Sequence, residues 1–155
     1  MTPVEKRFVD MLRKKVQDFP ELNKLTGSQE NDDKSLLFYI NMALDDYNST
    51  PPVLDPVTLE DFEKVPKLSI SLLLDGAIVQ MMLALGILQT RNQLSYSDGG
   101  NSIRLYDKGP SYIQVAGIFA NNYERKKIQL KKFLNAEQGW GSYRILKHYP
   151  QYPYY

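Results

Sequence analysis

The stretch LSISLLLDGAIVQMMLALGIL, from Leu68 to Leu88, is apolar on nearly all sides and decides the fold of this chain. An amphipathic helix carries its apolar residues on one face, whereas a helix that is apolar all round must be buried all round. Beyond two serines near its start, its polar side chains are Asp75 and Gln80. We therefore predict a central helix that is wrapped by other helices or by neighbouring subunits.

The same stretch is long enough to span a bilayer, so a membrane segment must be weighed against a buried core helix. Asp75 lies in its first third, and a carboxylate inside a membrane helix costs about 2.5 to 3.5 kcal/mol. That cost favours the core helix, and we expect no membrane partner.

Capping signals mark the elements before the central helix. A Ser, Thr or Asp side chain that accepts from the first turn satisfies amides that the helix leaves unpaired. The signals are Thr2 with Glu5 for a helix over about 3–18, Asp32 or Asp33 for one over about 34–47, and Thr58 with Asp61 for a short turn.

A second long helix is predicted after the central one, over about 110–135, beginning at Pro110. Its main apolar stripe is predicted to contain Tyr112, Val115, Ala116, Phe119, Tyr123, Leu130, Phe133 and Leu134. Ile113, Ile118 and Ile128 fall off that stripe, and a second apolar surface on a helix suggests contact with another copy of the chain. We assign these three isoleucines to a subunit interface.

Between the two long helices, SYSDGGNS at 95–102 has the chemistry of a tight turn, and a small β-hairpin is predicted near 94–107. The loop could also bind an anion or a metal ion through Asp98, but it lacks the residues of a P-loop or an EF-hand. We favour a structural hairpin tip whose Asp98 touches a partner.

The fold class predicted is thus mainly α: a helical bundle with two long helices, a small hairpin and an extended C-terminal tail. The helical domain covers 1–138, and the tail covers 139–155. Aromatic rings with polar tips, stiffened by prolines, suit docking into a groove of a neighbouring chain. The predicted docking residues are Trp140, Tyr143, Tyr149, Tyr152, Tyr154 and Tyr155.

Composition removes several chemistries. The chain has no cysteine and one histidine, His148, so thiolate nucleophiles and thiolate or multi-histidine metal sites are excluded, and no cofactor is expected. Nineteen Lys plus Arg nearly balance eighteen Asp plus Glu, so any nucleic-acid contact must be local. Asp75 could be a general acid or base with a raised pKa, but pairing with Arg91 or Arg104 is the favoured prediction.

A basic group of side chains marks the second long helix: Arg125, Lys126, Lys127, Lys131 and Lys132. Much of this charge is predicted to lie opposite the apolar stripe. Arg125, Lys127, Lys131 and Lys132 could contact phosphates or pair with acidic neighbours, or they could form an ordinary solvated face.

The order of elements resembles a known family. A helix ending in DDYNSTPP at 45–52, followed by VPKLSISLLLDGAIVQMMLALGILQTRN at 65–92, is similar to the head-to-tail adaptor, or connector, proteins of tailed bacteriophages. The resemblance covers about residues 35–95. It implies a non-enzymatic virion protein of the neck or tail, made in the host cytoplasm, that forms a ring, commonly of twelve copies, between the portal protein and a tail or neck protein.

The resemblance further implies a C-terminal extension that docks on the portal, and basic residues that face the DNA channel. Other hypotheses stay open. They are a baseplate or tail-completion protein, a small phage enzyme such as a glycosidase with a carboxylate pair, and a nucleic-acid-binding protein.

Overall fold

The computed structural model of the chain describes residues 1–22, 27–52, 54–91, 95–98, 101–104 and 109–147. The fold is mainly helical and contains two long helices, as predicted. The elements in chain order are α1 (Pro3–Val16), α2 (Asp33–Ser49), α3 (Leu59–Lys64), α4 (Ile70–Arg91), β1 (Ser95–Asp98), β2 (Asn101–Arg104) and α5 (Gly109–Lys147).

The starts of the first three helices follow the capping signals in the sequence. Thr2 and Glu5 form the predicted capping box of α1, and Asp32 accepts from the Ser35 amide at the start of α2. Thr58 and Asp61 form a second capping box, at α3. These predictions are confirmed, because a cap depends on residues within one turn of each other.

Helix α4 is the core helix that its composition predicts. Every residue from Leu72 to Val79 is buried, so this part of the helix has protein on all sides. Helices α1, α2 and α5 supply the surroundings, through residues such as Leu12, Ile40 and Tyr123. By length and hydropathy α4 could also cross a membrane, and 56% of its most apolar window is buried within this fold.

Gly76 allows α5 to approach α4 closely. A Cβ atom at this position would lie 2.8 Å from the ring of Tyr123 and 3.0 Å from the Cβ of Ala43. Real Cβ atoms are not found so close to other heavy atoms, so α2, α4 and α5 can meet at this depth only around a glycine.

A buried arginine joins α1 to the start of α2. Arg13 is 6% exposed, and its guanidinium donates to Asp18 at 3.1 Å and to Asp33 at 2.7 Å. Asp18 also accepts from the amides of Glu30 and Asn31. The arginine therefore holds together both ends of the connection between the two helices.

Helix α5 corrects two predictions. It continues to Lys147, so residues 139–147 are helical and the predicted extended tail is wrong there. Gly139 and Gly141 do not stop the helix, because a glycine costs a helix only about 1 kcal/mol relative to alanine, and no proline occurs between Pro110 and Pro150.

The buried face of α5 is the second correction. It carries Ala116 and Tyr123 as predicted, but Val115, Phe119 and Phe133 are exposed. The stripe is rotated by roughly 60° from its predicted direction, counted at about 100° per residue. The rotation brings Lys127 and Lys131 inward, which no apolar pattern reveals.

The two strands form an antiparallel ribbon in the predicted hairpin region. Ser95 pairs with Arg104, and Asp98 pairs with Asn101. This ribbon follows α4 and precedes α5 along the chain, so it lies in the connection between the two long helices.

We expect Gly76→Ala to lower the free energy of unfolding by about 1 to 3 kcal/mol, because the added methyl group overpacks the contact with Tyr123. The matched control is Gly117→Ala on α5, where a Cβ meets nothing within 4 Å. The control should be neutral or stabilising by up to about 1 kcal/mol. Urea unfolding followed by circular dichroism measures both, and equal effects would contradict the role given to Gly76.

Candidate functional site

The protein exposes apolar side chains where α4 leaves the core. After Met81, Gly86 is the only buried residue of α4, and Leu83, Ile87 and Leu88 are exposed. We call residues 82–91 of α4 together with 109–120 of α5 the apolar arm. The exposed large apolar residues of the arm are Leu83, Ile87, Leu88, Ile113, Val115, Ile118 and Phe119.

The two helices of the arm pack tightly on each other. A Cβ atom on Gly86 would lie 2.8 Å from Cγ1 of Ile113, so the glycine lets the helices approach. The pairing of α4 with α5 leaves part of the apolar surface uncovered, since Ile87 and Ile118 are each 60% exposed. Apolar patches of this kind usually mark an interaction surface.

The three isoleucines predicted to form a subunit interface are all on the surface. Ile113 is 48%, Ile118 is 60% and Ile128 is 38% exposed. They are therefore accessible to a second chain, as an interface requires. Asp98, the fourth residue of that prediction, ends β1, and nothing is described of its side chain.

Four of the five residues of the basic group on α5 fall into two pairs. Arg125 and Lys132 are exposed, whereas Lys127 and Lys131 are each only 1% exposed. The prediction that all four lie on a solvated or channel-lining face is therefore wrong for Lys127 and Lys131. Their ammonium groups are held within the chain, and they face α2 and the loop that follows it.

Lys127 belongs to a polar joint between α2 and α5. Its Nζ lies 2.5 Å from Oδ2 of Asp46 and 2.8 Å from Oε1 of Glu124, so the ion pair is made within one chain. The hydroxyl of Tyr123 donates to the same Asp46 oxygen at 2.8 Å. Burial, followed by the hydrogen bond to Asp46, raises the pKa of Tyr123 well above its ordinary value.

Lys131 is held by backbone carbonyls. Its Nζ donates to the carbonyl oxygens of Asn48, Thr50 and Pro52, three acceptors for the three protons of an ammonium group. Burial and the nearby charge of Lys127 lower the pKa of Lys131. The lysine thereby fixes the chain that leaves α2.

Tyr47 lies beneath Lys131 and contrasts with Tyr123. Lys131 Nζ is 4.9 Å from the centre of the Tyr47 ring, and the ring makes an edge contact with Phe62 at 5.3 Å. The Tyr47 hydroxyl is buried without a hydrogen-bond partner among the described residues. Burial raises the pKa of Tyr47.

A pocket of about 490 Å³ opens beside Tyr47 and Lys131, between the loop after α2, α3 and the far part of α5. Its apolar wall is formed by Tyr47, Leu54, Pro56, Val57, Val65, Leu68 and Leu134. Polar side chains at the pocket include Asp55, Asp61, Glu137 and Lys67. Lys67 and Glu137 form an ion pair at 2.6 Å. The sequence gives no local signal for this pocket, because its walls come from segments far apart in the chain.

Asp75 is a structural anchor and not an acid with a raised pKa. It accepts from Lys15 of α1 and, at 3.0 Å, from Lys126 of α5. Burial alone raises the pKa of Asp75, but the two lysines outweigh burial and hold the pKa below its ordinary value. The prediction of Arg91 or Arg104 as the partner is wrong, because lysines from two other helices occupy the carboxylate.

The predicted docking residues divide at the end of α5. Trp140 and Tyr143 lie on the last turns of the helix, while Tyr149, Tyr152, Tyr154 and Tyr155 lie outside the described residues. Within the described part of the chain, no group of three or more His, Asp or Glu side chains could hold a metal ion.

The two tyrosines should respond oppositely to loss of the hydroxyl. Tyr123→Phe should lower the free energy of unfolding by about 1 to 3 kcal/mol, because Asp46 loses a donor. Tyr47→Phe should be neutral or stabilising by up to about 1 kcal/mol, because it removes a buried hydroxyl without a partner. Urea unfolding at neutral pH compares them, and a larger loss for Tyr47→Phe would contradict the assignment.

Alkaline pH should destabilise the protein through Tyr123. Because its pKa is raised on folding, the folded state keeps a proton that the unfolded chain loses. The free energy of unfolding should therefore fall above about pH 10, by up to about 1.4 kcal/mol per pH unit for this group. Tyr123→Phe should show a flatter decline than the unaltered protein. Parallel curves would show that the pKa of Tyr123 is not raised.

Comparison with known proteins adds no relative: no family model, no curated protein and no solved structure matches the chain.

Proposed function

We propose that the protein is a non-enzymatic structural protein that assembles through its apolar arm into a closed ring, as a head-to-tail adaptor of a tailed-phage virion. The observation that carries the assembly is the exposed apolar surface of the arm, where Ile87 and Ile118 are each 60% exposed. The resemblance in the order of helices supports the virion role.

A ring requires each copy to offer two different surfaces, because each subunit has a neighbour on either side. On α5, Ile118 is turned away from the buried residues Ala116 and Tyr123, whereas Leu83 and Ile87 lie on α4. The arm therefore carries apolar side chains on more than one side. That distribution fits contact with two neighbours better than contact with one.

The finer parts of the proposal concern the partners. A ring of twelve copies would lie between the portal protein and a tail or neck protein, with the hairpin tip at Asp98 and the residues after α5 making contacts between chains. Arg125 and Lys132, which are exposed, would face packaged DNA or acidic neighbours. A baseplate or tail-completion protein would use the same surfaces with a different partner.

Ile118→Asp should abolish or strongly weaken assembly while the fold is retained. Ile118 is 60% exposed, so the carboxylate costs the monomer little, but it would be desolvated in an apolar interface. Light scattering after size exclusion, over a concentration series, gives the mass of each species. Thermal unfolding gives the stability of the same samples.

Phe38→Asp on α2 is the matched control, since Phe38 is 59% exposed but lies outside the arm. It should leave the mass of the assembly unchanged. A protein that stays monomeric at every concentration, or an Ile118→Asp variant that assembles normally, would overturn the proposal. If Ile118→Asp lowered the stability of the monomer as strongly as it weakened assembly, Ile118 would belong to the core.

A further inference from the structure

The pocket beside Tyr47 has an apolar wall and an acidic edge. Asp55, Asp61 and Glu137 contribute three carboxylates, and Lys67 is paired with one of them. The remaining cation, Lys131, already donates to three carbonyl oxygens. The pocket therefore suits a segment that carries apolar or aromatic side chains and no acidic ones. Its volume, about 490 Å³, lies within the range of sites that bind side chains or small ligands.

The residues after Glu137 have the complementary chemistry. From Gln138 to Tyr155 the sequence contains no Asp or Glu, but it contains Arg144, Lys147 and His148, together with two prolines and a row of tyrosines. Tyrosine offers a large apolar ring with a hydrogen-bonding tip, and prolines lower the entropy lost when an extended segment docks. The stretch thus combines basic side chains, no acidic ones and many aromatic residues.

The direction of α5 favours a neighbouring copy as the donor of this segment. Gln138 lines the pocket, and the helix continues to Lys147, which carries the following residues about 14 Å along the axis past their own pocket. Residues 148–155 can span at most about 29 Å when fully extended. A return to their own pocket would require the chain to reverse its direction after Lys147 and would use about half of that length, whereas contact with a second copy requires no reversal.

We infer that the pocket lined by Tyr47, Val65 and Leu134 binds the segment 148–155 of a second copy of this chain. The inference rests on the proposed assembly and names the site by which one subunit holds the next. Tyrosine rings of the segment enter between Val65 and Leu134, and the segment brings no carboxylate to the acidic edge at Asp55. The partner of the aromatic segment is thus a second copy of the chain and not the portal protein.

Photochemical crosslinking of the full chain tests this directly. A chain with Tyr152→benzoylphenylalanine is mixed with a nitrogen-15-labelled chain that lacks the probe, and the mixture is irradiated. We expect covalent dimers in which the probe is joined to residues 54–68 or 131–138 of the labelled copy. Mass spectrometry of the digested product identifies the joined peptides and the isotope of each.

Two full-length variants make the test specific. Val65→Lys places a positive charge at the mouth of the pocket, on a residue that is 39% exposed, and should lower the crosslink yield roughly tenfold. Phe38→Lys adds the same charge at an exposed residue that does not line the pocket, and the yield should be unchanged. Thermal unfolding confirms that both variants are folded.

A crosslink within one chain would show that the segment occupies its own pocket, and a crosslink to another surface would show a different contact. Either result overturns the inference. Light scattering on the same samples distinguishes failure of the pocket contact from failure of the proposed ring assembly. A large assembly without a pocket crosslink leaves the ring in place and removes the pocket contact, whereas a monomer removes both.

Discussion

The burial of α4 is the constraint on which the rest of the structure depends. A helix that is apolar all round gains stability only when other elements surround it, and in this chain α1, α2 and α5 do so. Gly76 sets how closely they approach, because the ring of Tyr123 occupies the space that any larger side chain would need. The capped helices α1 and α2 pack their apolar faces against this one helix.

Polar joints decide how the surrounding helices are aligned. Asp75 receives Lys15 from α1 and Lys126 from α5, so one carboxylate ties three helices together. Asp46 receives Tyr123 and Lys127 in the same way between α2 and α5. Apolar packing alone tolerates sliding and rotation of helices, whereas a buried charge without its partner is costly. These joints therefore select one rotation of α5 about its axis, and that rotation turns Val115, Phe119 and Phe133 outward.

The proposed function and the proposed pocket contact both follow from apolar surface that the single chain leaves exposed. Helices α1, α2 and α5 surround α4 from Leu72 to Val79, but after Met81 most of α4 is not buried, so the arm keeps its apolar residues on the surface. At the other end of the bundle, α5 extends past α3 and leaves a pocket between them. A protein that completes its burial by contact with further copies would have unsatisfied surfaces of this kind at both ends. An assembly protein needs such surfaces, and no chemistry need occur at them.

The starts of α1, α2 and α3 and the existence of a buried α4 were predictable from the sequence, because caps and all-round hydrophobicity are local properties of neighbouring residues. The partner of Asp75, the burial of Lys127 and Lys131, the exposure of Phe119, and the pocket were not. Each depends on residues more than forty positions apart, such as Asp75 with Lys126 and Asp46 with Lys127. A lysine on a helix has the same local signal whether its ammonium group meets water or three carbonyl oxygens. The sequence by itself therefore determined where the first three helices begin and which helix must be central. Only the tertiary structure decided which face of α5 turns inward, because that choice is made by charges and a glycine that meet across the core.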